Sequence, residues 1–69
     1  MNCSWNYRVV LVNGEYGLYE VFYEDGKIIS RTVDPIDFVE DSVYELGVSL
    51  KLALDATLKP VLDDSIFGK

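Results

Sequence analysis

The sequence predicts an α+β domain: a three-stranded antiparallel β-meander, order 1-2-3, packed by one C-terminal α-helix. Three observations carry that prediction. Two β-rich runs end at Asn13-Gly14 and Asp25-Gly26, the dipeptides of tight hairpin turns. Ser42-Val43-Tyr44-Glu45 reads as a capping box ahead of an apolar run of helical period. Pro60 then closes that run. At 69 residues the chain has room for one domain, 1–69.

The first strand is expected over 5–12 (W-N-Y-R-V-V-L-V) and the second over 17–24 (G-L-Y-E-V-F-Y-E). The third, 27–33 (K-I-I-S-R-T-V), ends at Asp34-Pro35, because proline has no N–H for a ladder. The helix is expected over 43–58. Val43, Leu46, Leu50, Ala53, Leu54 and Thr57 recur at its period and form the predicted core face. A short tail, 60–67, is half apolar and is expected to dock.

Strand alternation sorts the side chains onto two faces. With two-residue turns, one face carries Trp5, Tyr7, Val9, Leu11, Leu18, Glu20, Phe22, Ile29, Arg31 and Val33. The other carries Asn6, Arg8, Val10, Val12, Tyr19, Val21, Tyr23, Ile28, Ser30 and Thr32. This register sets Glu20 opposite Arg31, a cross-strand ion pair. The helix is assigned to the more apolar Trp5/Val9/Phe22 face. That leaves Tyr19, Val21 and Tyr23 on the second face, and a second helix stripe of Tyr44, Val48 and Leu52, as candidate interface. The competing expectation is that the tail folds back over one of these surfaces.

Composition narrows the function classes. Twelve acidic residues against six basic give a net charge of −6, which disfavours direct nucleic-acid binding and anionic membranes and leaves basic protein surfaces as candidate partners. Asp34, Asp37, Glu40 and Asp41 form a candidate acidic contact surface. No apolar run approaches a membrane span and no leader pattern opens the chain, so the cytoplasm is the expected compartment. A chain this short has a small core, and its single cysteine rules out an internal disulfide. Self-association, as a dimer first, is the expected stabiliser.

No catalytic residue, cofactor or metal is expected. The four loop acids are hard oxygen donors, but their spacing is not that of a calcium loop, and solvated helix-start charge accounts for them. Cys3 and the serines have no histidine to activate them, because the chain contains none. A carboxylate pair needs a cleft that a small chain hardly offers. Asn13-Gly14-Glu15-Tyr16-Gly17 carries an acid where a phosphate cradle would not. Tyr7, Tyr19, Phe22 and Tyr23 resemble a base-stacking platform only until their acidic neighbours Glu15, Glu20, Glu24 and Asp25 are counted. Packing is the expected role.

The ordered motifs Trp5-Asn6-Tyr7-Arg8-Val9-Val10, Tyr16 to Tyr23, Asp25-Gly26, Asp34-Pro35, Ser42 to Leu46 and Leu58-Lys59-Pro60-Val61-Leu62 resemble a family of small uncharacterised bacterial proteins over almost the whole chain. That resemblance implies no activity and no functional residues. Gly47, Val48 and Leu52 depart from it, standing where those proteins tend to be charged, which favours a contact on the helix. The β-β-β-α order also resembles the antitoxin half of HicA–HicB pairs, without its C-terminal DNA-binding segment. The expected function is a small non-catalytic protein–protein interaction module that self-associates. The alternative is an acidic inhibitor, antitoxin-like or nucleic-acid-mimicking, that blocks a basic protein surface.

Overall fold

Both hairpin dipeptides adopt the backbone that makes them turns. Asn13 and Gly14 have φ of 52° and 80°, and Asp25 and Gly26 have 52° and 81°. Left-handed conformation at both central residues matches the right-handed twist of the flanking strands. The computed structural model describes residues 2–67. β1 (Cys3–Val12) and β2 (Glu15–Glu24) pair from Cys3 opposite Glu24 to Val12 opposite Glu15. The N-terminal end is held too: the Asn2 amide donates to Asp25 Oδ1 at 2.9 Å, and the Asp25 amide to the Asn2 carbonyl at 2.7 Å.

β3 (Lys27–Arg31) pairs with β2 through a bulge. Tyr23 stands opposite Ile28, but Phe22 stands opposite Ser30, which leaves Ile29 as the extra residue. One inserted residue moves every later side chain to the other face. The predicted Glu20–Arg31 pair therefore does not form. Arg31 faces Val21 in the ladder and lies on the Tyr19 side. The Glu20 backbone instead exchanges bonds with Thr32, whose amide donates to the Glu20 carbonyl at 2.9 Å.

The chain then crosses the opposite face. The Ile36 amide donates to the Leu18 carbonyl at 2.8 Å. Phe38 meets Tyr7 edge-on at 6.4 Å between ring centres, and Tyr7 meets Trp5 at 5.4 Å. Helix α1 (Val43–Ala56) follows, with Ser42 Oγ accepting from the Glu45 amide at 3.1 Å, as the capping box requires. It ends two residues before the expected Leu58. The Thr57 hydroxyl donates to the Leu54 carbonyl at 2.6 Å, and the amides of Leu58 and Lys59 close a tighter last turn.

Among the described residues the sheet has four strands, where three were expected. Leu62–Asp63 form β4, parallel to β1 at Val10 and Leu11, so the order is β3-β2-β1-β4. Two residues carry no readable alternation, which hid this strand. A 3-10 turn, Asp64–Phe67, completes the tail. The fold is mixed α+β, with the predicted meander inside a larger sheet.

The core is on the second face. Val10, Tyr19 and Val21 are buried, with Val12, Tyr23, Ile28, Leu62 and Phe67 packed around them. The tail thus covers the surface first read as spare. Arg31 fastens it: its guanidinium carbon is 4.8 Å from the centre of the Tyr19 ring and 5.8 Å from that of Phe67. Its Nε and Nη2 both reach Asp64 Oδ1, at 2.8 and 2.7 Å. Gly17 makes room for this stack, because a Cβ there would come 2.9 Å from the Tyr19 ring. Gly17→Ala is expected to destabilise the fold by about 1–3 kcal/mol through overpacking, read as a lower urea midpoint.

Candidate interaction surface

Apart from Ser49 and Gly47, α1 has only three non-apolar positions, Glu45, Lys51 and Asp55. A helix apolar on every side is normally surrounded by protein. Here one side alone is covered. Ala56 is 1% exposed and is the helix's one buried residue, with Leu46, Ser49 and Ala53 half-buried beside it. The small side chains of Ser49, Ala53 and Ala56 let the helix lie close to β1, and Glu40 Oε2 accepts from the Ser49 hydroxyl at 2.8 Å, tying the acidic loop to the same side. The predicted core face is therefore only partly right. Leu46 and Ala53 do turn inward, but Val43, Leu50, Leu54 and Thr57 remain exposed.

The helix stands over the Val9/Leu18/Trp5 face as a ridge with a groove on each flank. One groove, about 620 Å3, is walled by Leu50, Leu54 and Thr57 of the helix end and by Val9, Tyr16 and Leu18 of the sheet. No charged residue lines it. By helical spacing Val43 and Gly47 share that flank, with Lys51 at its edge, and Leu58 follows in the turn beyond the helix end. The other groove, about 400 Å3, lies between Trp5 and Tyr7 of the sheet and Leu52, Asp55 and Lys59. Tyr44, Val48 and Leu52, the predicted helix stripe, are exposed on this second flank, Tyr44 at 80%.

Gly47 is the unexplained residue of the helix. A Cβ built there meets nothing within 4 Å, and its φ is not in the left-handed region. A mid-helix glycine costs about 1 kcal/mol relative to alanine, and no contact among the described residues requires it.

The sheet half of the predicted interface is not open to a partner. Tyr19 is 5% exposed and Val21 is 0%, because Leu62, Phe67 and Arg31 cover them. Tyr23 is half-buried, its hydroxyl donating to Asn6 Oδ1 at 2.9 Å and accepting from Arg8 Nη1 at 3.2 Å. Arg8 Nη2 in turn donates to the Pro60 carbonyl at 2.8 Å, holding the segment after the helix to the sheet. Neither the Arg8–Pro60 bond nor the Arg31–Asp64 pair was visible in the sequence, because each joins residues brought together only by the tail's return, whereas Tyr23, Asn6 and Arg8 meet across the β1–β2 hairpin.

Asp34, Asp37, Glu40 and Asp41 are all exposed. Among the described residues no three metal-ligating side chains come together, and Arg31–Asp64 is the one salt bridge. Cys3 is a free, exposed thiol in β1. No helix among the described residues is long and apolar enough to cross a membrane. In comparisons with family models, curated proteins and solved structures, nothing matches the chain.

Proposed function

We propose that this chain is a small, non-catalytic protein–protein interaction module that self-associates, working by burial of its helix surface. The observation that carries the reading is a helix apolar on all sides and covered on one. Tyr44, Val48 and Leu52 on one flank and Leu50, Leu54 and Leu58 on the other are exposed together. Six exposed apolar side chains gathered on one helix and the turn that ends it are the kind of surface that marks an interaction site. A chain with no histidine and one thiol has little with which to activate a nucleophile. The mass in solution tests the reading. Light scattering across a concentration series is expected to give a multiple of the 7.8 kDa chain mass. A monomer throughout would end the self-association reading.

A second reading, an acidic inhibitor of a basic protein surface, is favoured by one feature: Asp34, Asp37 and Asp41 are exposed and pair with no base among the described residues. Glu40 is partly committed to Ser49. Asp37→Lys with Asp41→Lys should therefore weaken binding of a basic partner at least tenfold while leaving the fold intact. An unchanged affinity would exclude this reading.

A further inference from the structure

We infer that the helix flank of Val43, Gly47, Leu50 and Leu54, with Leu58 beyond the helix end, is the self-association seam, on which the helix of a second copy packs antiparallel and crosses near Leu50, so that Leu54 of each copy meets Gly47 of the other. The inference rests on the interaction-module reading and names both the surface and its occupant.

Three independent features point to a second copy. The first is area. The chain exposes 5098 Å2, whereas a folded monomer of its mass is expected to expose about 4,400 Å2. The excess, about 700 Å2, is close to the roughly 800 Å2 that each partner buries in a standard interface. Val43 at 86%, Leu54 at 63% and Leu58 at 80% are the most exposed apolar side chains along this flank.

The second is charge. Two copies of a −6 chain repel unless they meet where neither is charged. The groove along this flank carries no charged residue, whereas the opposite groove is lined by Asp55 and Lys59. Charge also sets the direction. Asp37, Glu40, Asp41 and Glu45 cluster at the helix start, while Lys51, Asp55 and Lys59 follow toward its end, with Asp63 beyond and Asp64 paired with Arg31. An antiparallel pair brings each acidic start toward the other copy's less acidic end, which carries Lys51 and Lys59, and opposes the helix dipoles. A parallel pair would bring eight acids together. Two copies related by a two-fold axis use the same patch twice, so the arrangement closes.

The third is Gly47. It lies on this flank one turn before Leu50 and two before Leu54, and a Cβ there would meet nothing within 4 Å. Small residues at a crossing let two helix backbones approach closely. An approaching helix gives this glycine the contact that its own chain does not.

The test uses the full chain and its variants, with light scattering for mass and circular dichroism for folding. Leu54→Glu is expected to reduce the dimer to 7.8 kDa. Leu52→Glu, on the other flank, is expected to leave the dimer and the spectrum unchanged. This contrast keeps the test decisive if Leu54→Glu dissociates and unfolds together. Gly47→Ala should raise the helix content of the dilute monomer yet weaken the dimer at least tenfold. On a Cys3→Ser background, Leu58→Cys should form no disulfide-linked dimer on oxidation, because antiparallel copies hold these positions far apart. A dimer that survives Leu54→Glu, equal effects of both glutamates, a Gly47→Ala dimer as tight as wild type, or cross-linking through Leu58→Cys would each overturn the inference and leave the interaction-module reading standing. A monomeric wild type would instead remove that reading itself.

Discussion

Arg31→Ala is expected to destabilise the fold by about 2–4 kcal/mol, a large share of the roughly 3–5 kcal/mol that a core of this size supplies. The arginine links three parts of the chain. Its guanidinium lies against Tyr19 of β2 and Phe67 of the tail, and it binds Asp64 through two nitrogens. Nη1 also donates to the carbonyls of Thr32 and Val33, at 2.8 and 3.2 Å, which fixes the chain after the bulge. The arginine side chain is 17% exposed and that of Asp64 37%, so solvent screens the ion pair, and most of the loss should come from the stacking and the carbonyl bonds. Arg31→Lys should recover only part of the stability, since an ammonium cannot lie flat between two rings. Asp64→Ala should cost less than Arg31→Ala. A double-mutant cycle on the two measures their coupling. The tail should become protease-sensitive in Arg31→Ala, because Leu62 and Phe67 lose the group that holds them over Val10 and Val21. If Arg31→Ala stays within about 0.5 kcal/mol of wild type in urea, Leu62 and Phe67 alone dock the tail and the arginine is incidental.

The elements that sequence could reach were those encoded by local chemistry. Asn13-Gly14 and Asp25-Gly26 turn because their backbones tolerate positive φ. Ser42 starts the helix because its hydroxyl accepts from the Glu45 amide. What was out of reach depended on partners distant in the chain. The bulge at Ile29 has no signature in K-I-I-S-R, yet it decides that Arg31 joins the Tyr19 face and not the Glu20 face. Tyr19 and Val21 seemed spare because the residues that cover them, Leu62 and Phe67, come after Pro60 in a segment with no period of its own. The acidic loop was legible as a charged, exposed surface, and Glu40's bond to Ser49 was not. On the helix, the period was right and the direction was partly wrong. A helix with leucine on several sides has no single apolar stripe to point at the core. Fit settled the direction, in favour of alanines and a serine against β1.

That direction yields the second large effect, Ala56→Leu. It is expected to destabilise the fold by about 1–3 kcal/mol, although it replaces one apolar residue with another of higher burial free energy. Ala56 is 1% exposed, so a larger side chain has nowhere to go without lifting the end of α1 from β1. Lifting that end would also strain the turn at Thr57–Lys59 and the bond from Arg8 to the Pro60 carbonyl. Two residues earlier the expectation reverses. Leu54 is 63% exposed, so Leu54→Ala should change the stability of the dilute chain by no more than about 0.5 kcal/mol. Both variants must be unfolded in urea at low protein concentration, because association adds apparent stability by mass action. At high concentration Leu54→Ala should lose stability relative to wild type, while the deficit of Ala56→Leu is present at every concentration. If Leu54→Ala is the costlier change in dilute solution, the leucines face the sheet and the alanines face water. The exposed flank on which the self-association argument is built would then be the wrong one.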